Sequence, residues 1–248
     1  MVRRIAMPSI RLGAVLALAL LAALLGQLTS ASAQGSKGAV YTLTNAASGN
    51  QVAVFARSHD GTLTPAGTVD TGGLGTGSGL GSQGALVLAG DVLVAVNSGS
   101  DSISLLEVED GMPELLDVES SGGDFPISVT VHRNLVYVLN AGAPENITGF
   151  RIHDDELVPL PGSTQPLSGS GVAPAQVSFS PRGDVLVVTE KAVNNIDTYT
   201  VGKDGLADGP TVHPSVGETP FGFEFGKRGT LIVSEAFGGA PDASAVSS

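Results

Sequence analysis

One unit recurs along this chain, completing four times and beginning a fifth. Each copy carries an apolar strand that ends in Asn or Glu, a short polar loop, a further strand and an acidic turn. The strands read VYTLTN (Val40 to Asn45), VLVAVN (Val92 to Asn97), LVYVLN (Leu135 to Asn140), VLVVTE (Val185 to Glu190) and TLIVSE (Thr230 to Glu235). Their terminal residues are spaced by 52, 43, 50 and 45 residues, close to the roughly 40–50 residues of one β-propeller blade. Such a fold sets four-stranded sheets around a central channel. Any binding or chemistry is then expected at the channel mouth.

Within a unit the strands can be ordered. An inner strand (Ala85 to Leu88, Ile127 to His132, Ala175 to Phe179, Phe221 to Phe225) leads through a tight turn into the apolar strand. The third strand follows and closes on Asp60-Gly61, Asp110-Gly111, Asp154-Asp155 or Asp204-Gly205, residues that accept the positive φ of a hairpin turn. A fourth, outer strand completes the unit. No stretch beyond the leader keeps helical spacing over three turns. The expected fold is therefore all-β, a propeller of four-stranded antiparallel blades over residues 39–248. No inner strand precedes Val40, and the fifth unit stops within its third strand. About four and a half blades of a probable seven are thus expected, the chain reading as the front portion of a longer propeller.

The N-terminus has the form of a secretory signal. Arg3, Arg4 and Arg11 flank an apolar stretch from Leu12 to Leu28, and Ala31-Ser32-Ala33 supplies a small-residue cleavage site. Residues 1–33 are read as leader and 34–38 as a short linker, which implies a secreted or periplasmic protein with no membrane span after cleavage. Losing the three leader arginines takes the net charge from −12 to −15. That balance argues against nucleic acid, which needs clustered Lys and Arg. The chain has no cysteine, which excludes disulfides, thiol nucleophiles and Cys–zinc sites. Stability must come from core burial and strand pairing.

The segments LVYVLNAG, NITGFRI and DDELVPL, together with PAQVSFSPRGDVLVVTE, resemble the lactonase-like seven-bladed propeller family, which includes bacterial 6-phosphogluconolactonases and fungal carboxymuconate-lactonising enzymes. The resemblance extends over residues 39–248 and is shared with the YVTN surface-protein propellers. It implies a lactonase or related cyclic-ester hydrolase. It also implies a His on an inner strand ahead of a Ser-Pro-Asp-Gly type turn, acting with an acidic residue and an Arg. This chain has Ala175 in that His position and Pro220-Phe221 where an Arg-His pair would stand. The acidic position is kept as Glu235, with Glu190 similarly placed one unit earlier.

Glu235 and Glu190 are thus the candidate catalytic residues. Each could act as general base, or the two could hold a divalent cation, although no residues show the spacing of a metal site. Alternatively, each caps its strand and satisfies a loop. Arg182, Gln83, Asn97 and Asn140 are candidate substrate contacts. The Gly72 to Gly84 segment lacks the spacing of a phosphate loop and is placed to fold over the channel mouth, or else is a mobile linker. The substrate class expected is a small lactone. The alternative is a non-catalytic propeller of the surface-protein type that binds a ligand or protein partner, or an inactive fragment.

Overall fold

A computed structural model describes residues 38–248; the leader and its cleavage site lie outside them. Five antiparallel sheets follow one another in sequence and form a β-propeller. Blade one contains β1 (Ala39–Leu43), β2 (Gln51–Arg57) and β3 (Leu63–Asp70). Blade two contains β4 (Leu86–Ala89), β5 (Val92–Asn97), β6 (Ser102–Glu109) and β7 (Met112–Ser120). Blade three runs through β8 (Pro126–His132), β9 (Leu135–Asn140), β10 (Asn146–His153) and β11 (Glu156–Pro159), with a short β12 (Gln165–Pro166) also paired to β10. Blade four is β13 (Pro174–Phe179), β14 (Val185–Glu190), β15 (Asn195–Val201) and β16 (Ala207–Pro214). Blade five holds β17 (Pro220–Phe225), β18 (Leu231–Glu235) and β19 (Ala245–Ser247). As the strand order predicts, blade one has three strands and begins at the position that is second in blades two to four.

The alternation of side chains across each strand puts one apolar set on each side of a blade, and neighbouring blades interlock through these sets. Val52 and Val54 of blade one meet Leu93, Ala95 and Leu106 of blade two. Val94, Val96 and Ile103 meet Val129, Val138 and Phe150 of blade three. Ile127, Tyr137 and Leu139 meet Val177, Leu186 and Tyr199 of blade four. Val187 meets Phe223 and Val233 of blade five. The core is therefore a series of interblade layers, as expected when each sheet can hide its faces only against its neighbours.

Tyrosines bind these layers together. The Tyr41 hydroxyl donates to the Gly111 carbonyl at 3.1 Å, from blade one to blade two. That of Tyr137 donates to Gly205 O at 2.9 Å and accepts from the Ala207 N–H at 2.9 Å, from blade three to blade four. A buried hydroxyl needs such partners, because leaving it unpaired would cost about 1–3 kcal/mol.

Candidate functional site: interblade clamps and the inner-strand pocket

The polar residue that ends the second strand of blades two to five occupies one equivalent place, buried against the preceding blade. Asn97, Asn140 and Glu190 are 0% exposed and Glu235 is 2% exposed. Each holds the Ser or Thr region that follows the last strand of the blade before it. Thr71 Oγ1 donates to Asn97 Oδ1 at 2.7 Å. Asn140 Nδ2 donates to Ser121 O at 3.2 Å. Ser168 donates its backbone N–H to Glu190 Oε1 at 3.0 Å and its hydroxyl to Glu190 Oε2. Gly217 N–H and Ser215 Oγ both donate to Glu235 Oε1, at 2.9 and 3.3 Å.

The residue type follows the partners. Asn97 accepts from Asn50 Nδ2 and Thr71 while donating to Ser104 Oγ at 2.7 Å, a mixed role that an amide can fill. The neighbours bonded to Glu235 all donate, with Ser247 Oγ adding a third bond at 2.6 Å, and an acceptor-only carboxylate matches them. Gly217 also leaves space for this contact, since a Cβ there would stand 2.4 Å from Glu235 Oε2.

Blade four adds a second acid. Asp197 lies on β15 beside Glu190, is 0% exposed, and has no donor to either carboxylate oxygen among the described residues. Burial, and then Glu190, push its carboxyl up to about 8. Burial also raises the Tyr199 hydroxyl, helped by the charges of Asp197 and Glu190. Among the described residues no three His, Cys, Asp or Glu converge as a metal site, and Glu190 and Glu235 stand in separate clamps.

Asn45 has a different task from the other four strand-ending residues. Its backbone is left-handed, with φ 49°, and its side chain holds the glycine-rich segment, donating to Thr76 Oγ1 at 2.8 Å and to Ser78 O at 2.6 Å. Gly75 lies so near that a Cβ would meet the Asn45 carbonyl carbon at 2.2 Å. From there the segment crosses the inner strands. Ser82 Oγ donates to Ile127 O at 2.8 Å and Gln83 N–H to Ala175 O at 3.0 Å. Val129 N–H donates to Gly84 O at 2.8 Å. Lys191 Nζ donates to Gly81 O at 2.5 Å and lies 5.2 Å from the centre of the Phe221 ring. Burial lowers the Lys191 ammonium's pKa.

Beside this strap, inner strands of blades four and five bound a cavity of about 400 Å³. Gln83, Gln176, Gly222, Glu224 and Ser234 line it. Two of its polar side chains are committed to the framework. Gln176 copies a strand neighbour, donating to Phe223 O at 3.0 Å and accepting from Phe223 N–H at 2.9 Å. Ser234 Oγ donates to Gly222 O at 2.8 Å. The Gln83 amide makes no side-chain bond among the described residues, and Glu224 accepts only from the Phe225 N–H, at 2.9 Å on one oxygen.

Residues 36–158 match the sequence profile of the lactonase family of seven-bladed β-propellers. Over that stretch the chain is similar to the lactonase-like β-propeller family. Solved relatives of this fold include a 6-phosphogluconolactonase candidate from Bacteroides uniformis, 13% identical with a TM-score of 0.64, aligned over 87% of this chain and 68% of that one. A Lactobacillus plantarum protein is 17% identical, with a TM-score of 0.63 over 84% of this chain and 63% of its own. The periplasmic gluconolactonase of Pseudomonas aeruginosa is 14% identical, with a TM-score of 0.63 over 80% and 61%. This chain thus spans roughly two thirds of the length of its structural relatives. No curated protein matches the sequence.

Within this family frame, the predicted contact residues divide by location. Gln83 reaches the inner-strand pocket. Asn97 and Asn140 lie in clamps. Arg182 sits at the opposite end of β14 from Glu190, paired to Asp184 at 2.9 Å. Ala175, in the position the family resemblance gives to His, is fully buried, and its carbonyl receives the strap. Glu224 is the residue that sequence reading passed over. It alternates with Phe223 and Phe225 on β17, so the phenylalanine pattern already placed it on the other face.

Proposed function

We propose that this chain is an exported lactonase-family propeller that receives a small cyclic ester at the inner-strand pocket. The observation that carries the reading is that one pocket is lined by both the Gln83 amide and a Glu224 carboxylate with one oxygen left free, while Glu190 and Glu235 are engaged in clamps. Glu224 would take a proton from a water whose oxygen bonds to the ester carbonyl carbon, and the Gln83 Nε2–H would donate to the carbonyl oxygen as negative charge develops there. The ring C–O bond then breaks as Glu224 returns its proton to the departing ring oxygen, and the product is a hydroxy acid. Export is supported by the basic and apolar leader, and by the periplasmic place of the Pseudomonas relative.

The test is hydrolysis of five- and six-membered sugar lactones by the full chain, followed by acid release in a pH-stat. Glu224→Gln and Gln83→Leu should each lower turnover, the former by about 10²-fold. A second reading, a propeller that binds without turnover, is favoured by Ala175 in the His position. It predicts saturable lactone binding with no acid release.

A further inference from the structure

A separate cavity of about 680 Å³ opens between blades four and five, at the ends of the blades far from the clamps. Two tight turns frame it. In one, Ser180 N–H donates to Val185 O at 2.8 Å; in the other, Gly226 N–H donates to Thr230 O at 2.8 Å. Its floor is apolar, built from Val185, Val187, Phe225 and Leu231. This layer has the fewest buried apolar residues of the four, three against thirteen between blades three and four. The opening is a cleft that the protein's own side chains leave unfilled, of a volume typical of small-molecule sites (roughly 300–1,000 Å³).

The rim has the opposite charge to the rest of the molecule. Lys227 and Arg228 are exposed on the second turn and form no ion pair among the described residues. The turn holds Arg228 in the left-handed region at φ 74°, a conformation that a bulky side chain seldom adopts. Arg182, on the facing turn, is neutralised by Asp184. Two unpaired cations therefore stand over an apolar floor in a chain of net charge −12.

We propose that this cleft binds an organic anion with an apolar body. The apolar part would cover Phe225, Leu231 and Val187, while its carboxylate or phosphate head meets Lys227 and Arg228. The guanidinium offers a two-pronged contact to either head group, and the ammonium adds a point charge. The site shares no lining residue with the inner-strand pocket, so a ligand here does not displace one there.

The experiment is an NMR titration of the full chain with 2-naphthoate and with neutral 2-naphthalenemethanol, following backbone amides over 180–187 and 225–231. Saturable shifts confined to those residues are expected with the acid, at least ~10-fold weaker with the alcohol. The double variant Lys227→Ala/Arg228→Ala should lose at least ~10-fold in naphthoate affinity while its spectrum otherwise stays native. If the double variant does not fold, Lys227→Glu alone supplies the charge test. Equal affinity for acid and alcohol, unchanged affinity in the variants, or no saturable shift would overturn the assignment.

Discussion

Glu190 and Asp197 form a buried acid pair with no basic side chain against them among the described residues. Glu190 ends β14 opposite Asn195, and Asp197, two residues further along β15, returns to the same face. Burial, and then the neighbouring Glu190 carboxylate, both favour the protonated form of Asp197. The upward shift of Asp197 to about 8 then sets a sign. An acid whose folded value lies above its unfolded value stabilises the fold while protonated. That stability is complete below about pH 4 and is lost as pH rises towards 8, by up to about 1.4 kcal/mol per pH unit. Urea unfolding of wild type and Asp197→Asn from pH 4 to 9 should show the variant gaining relative stability as pH rises and overtaking wild type by pH 8. Parallel profiles would contradict a protonated, buried Asp197.

The clamp at Glu235 gathers three donors on one buried oxygen, from Ser215, Gly217 and Ser247. Hydrogen bonds to a charged group contribute about 1.5–3 kcal/mol each, and donors left unpaired in the interior carry a similar penalty. Glu235→Ala should therefore lower unfolding free energy by about 2–4 kcal/mol in urea melts. A loss below about 0.5 kcal/mol would show that blade five is held by its apolar layer alone.

The strap is fixed to blade four by Lys191, whose ammonium holds the Gly81 carbonyl. Lys191→Met keeps the side-chain bulk and the contact with Phe221 but removes the donor. Amide hydrogen exchange over 81–84 should accelerate by about 10-fold, the equivalent of one hydrogen bond of roughly 1.4 kcal/mol. The melting temperature should fall by no more than about 4 °C. Unchanged exchange in that segment would mean that Asn45, Ser82 and Gln83 hold it without the lysine.

Much of the fold was legible because blades repeat a local pattern. Alternating apolar residues set the strands, and Asp-Gly or Pro-Arg-Gly punctuation set the turns. The absent inner strand of blade one followed from comparing Val40 with its equivalents. The clamps were partly legible too. Thr71, Ser121, Ser168 and Ser215 each follow an outer strand and have Gly within two residues, a recurrent signal that pairs with the strand-ending Asn or Glu of the next unit. The Asp197 contact could have been read by taking the residue two beyond the partner of Glu190, where blade two has Ser104 and blade three Thr148. The inner-strand pocket was harder. Gln83 and Glu224 are far apart in sequence and share a cavity only because the strap between blades one and two reaches across to blades four and five, an arrangement set by packing between blades that no local pattern encodes.

The most direct measurement pairs turnover with stability in two glutamate variants of the full chain. Glu224→Gln should lose about 10²-fold in lactone turnover with an unchanged melting temperature, because Glu224 is exposed and holds only the adjacent N–H. Glu235→Gln should melt lower, because the amide loses its charge and brings a second donor among donors, yet keep its turnover per folded molecule. The reverse pattern, turnover lost at Glu235 with stability intact and retained at Glu224, would place the chemistry in the clamp and contradict the assignment of the pocket.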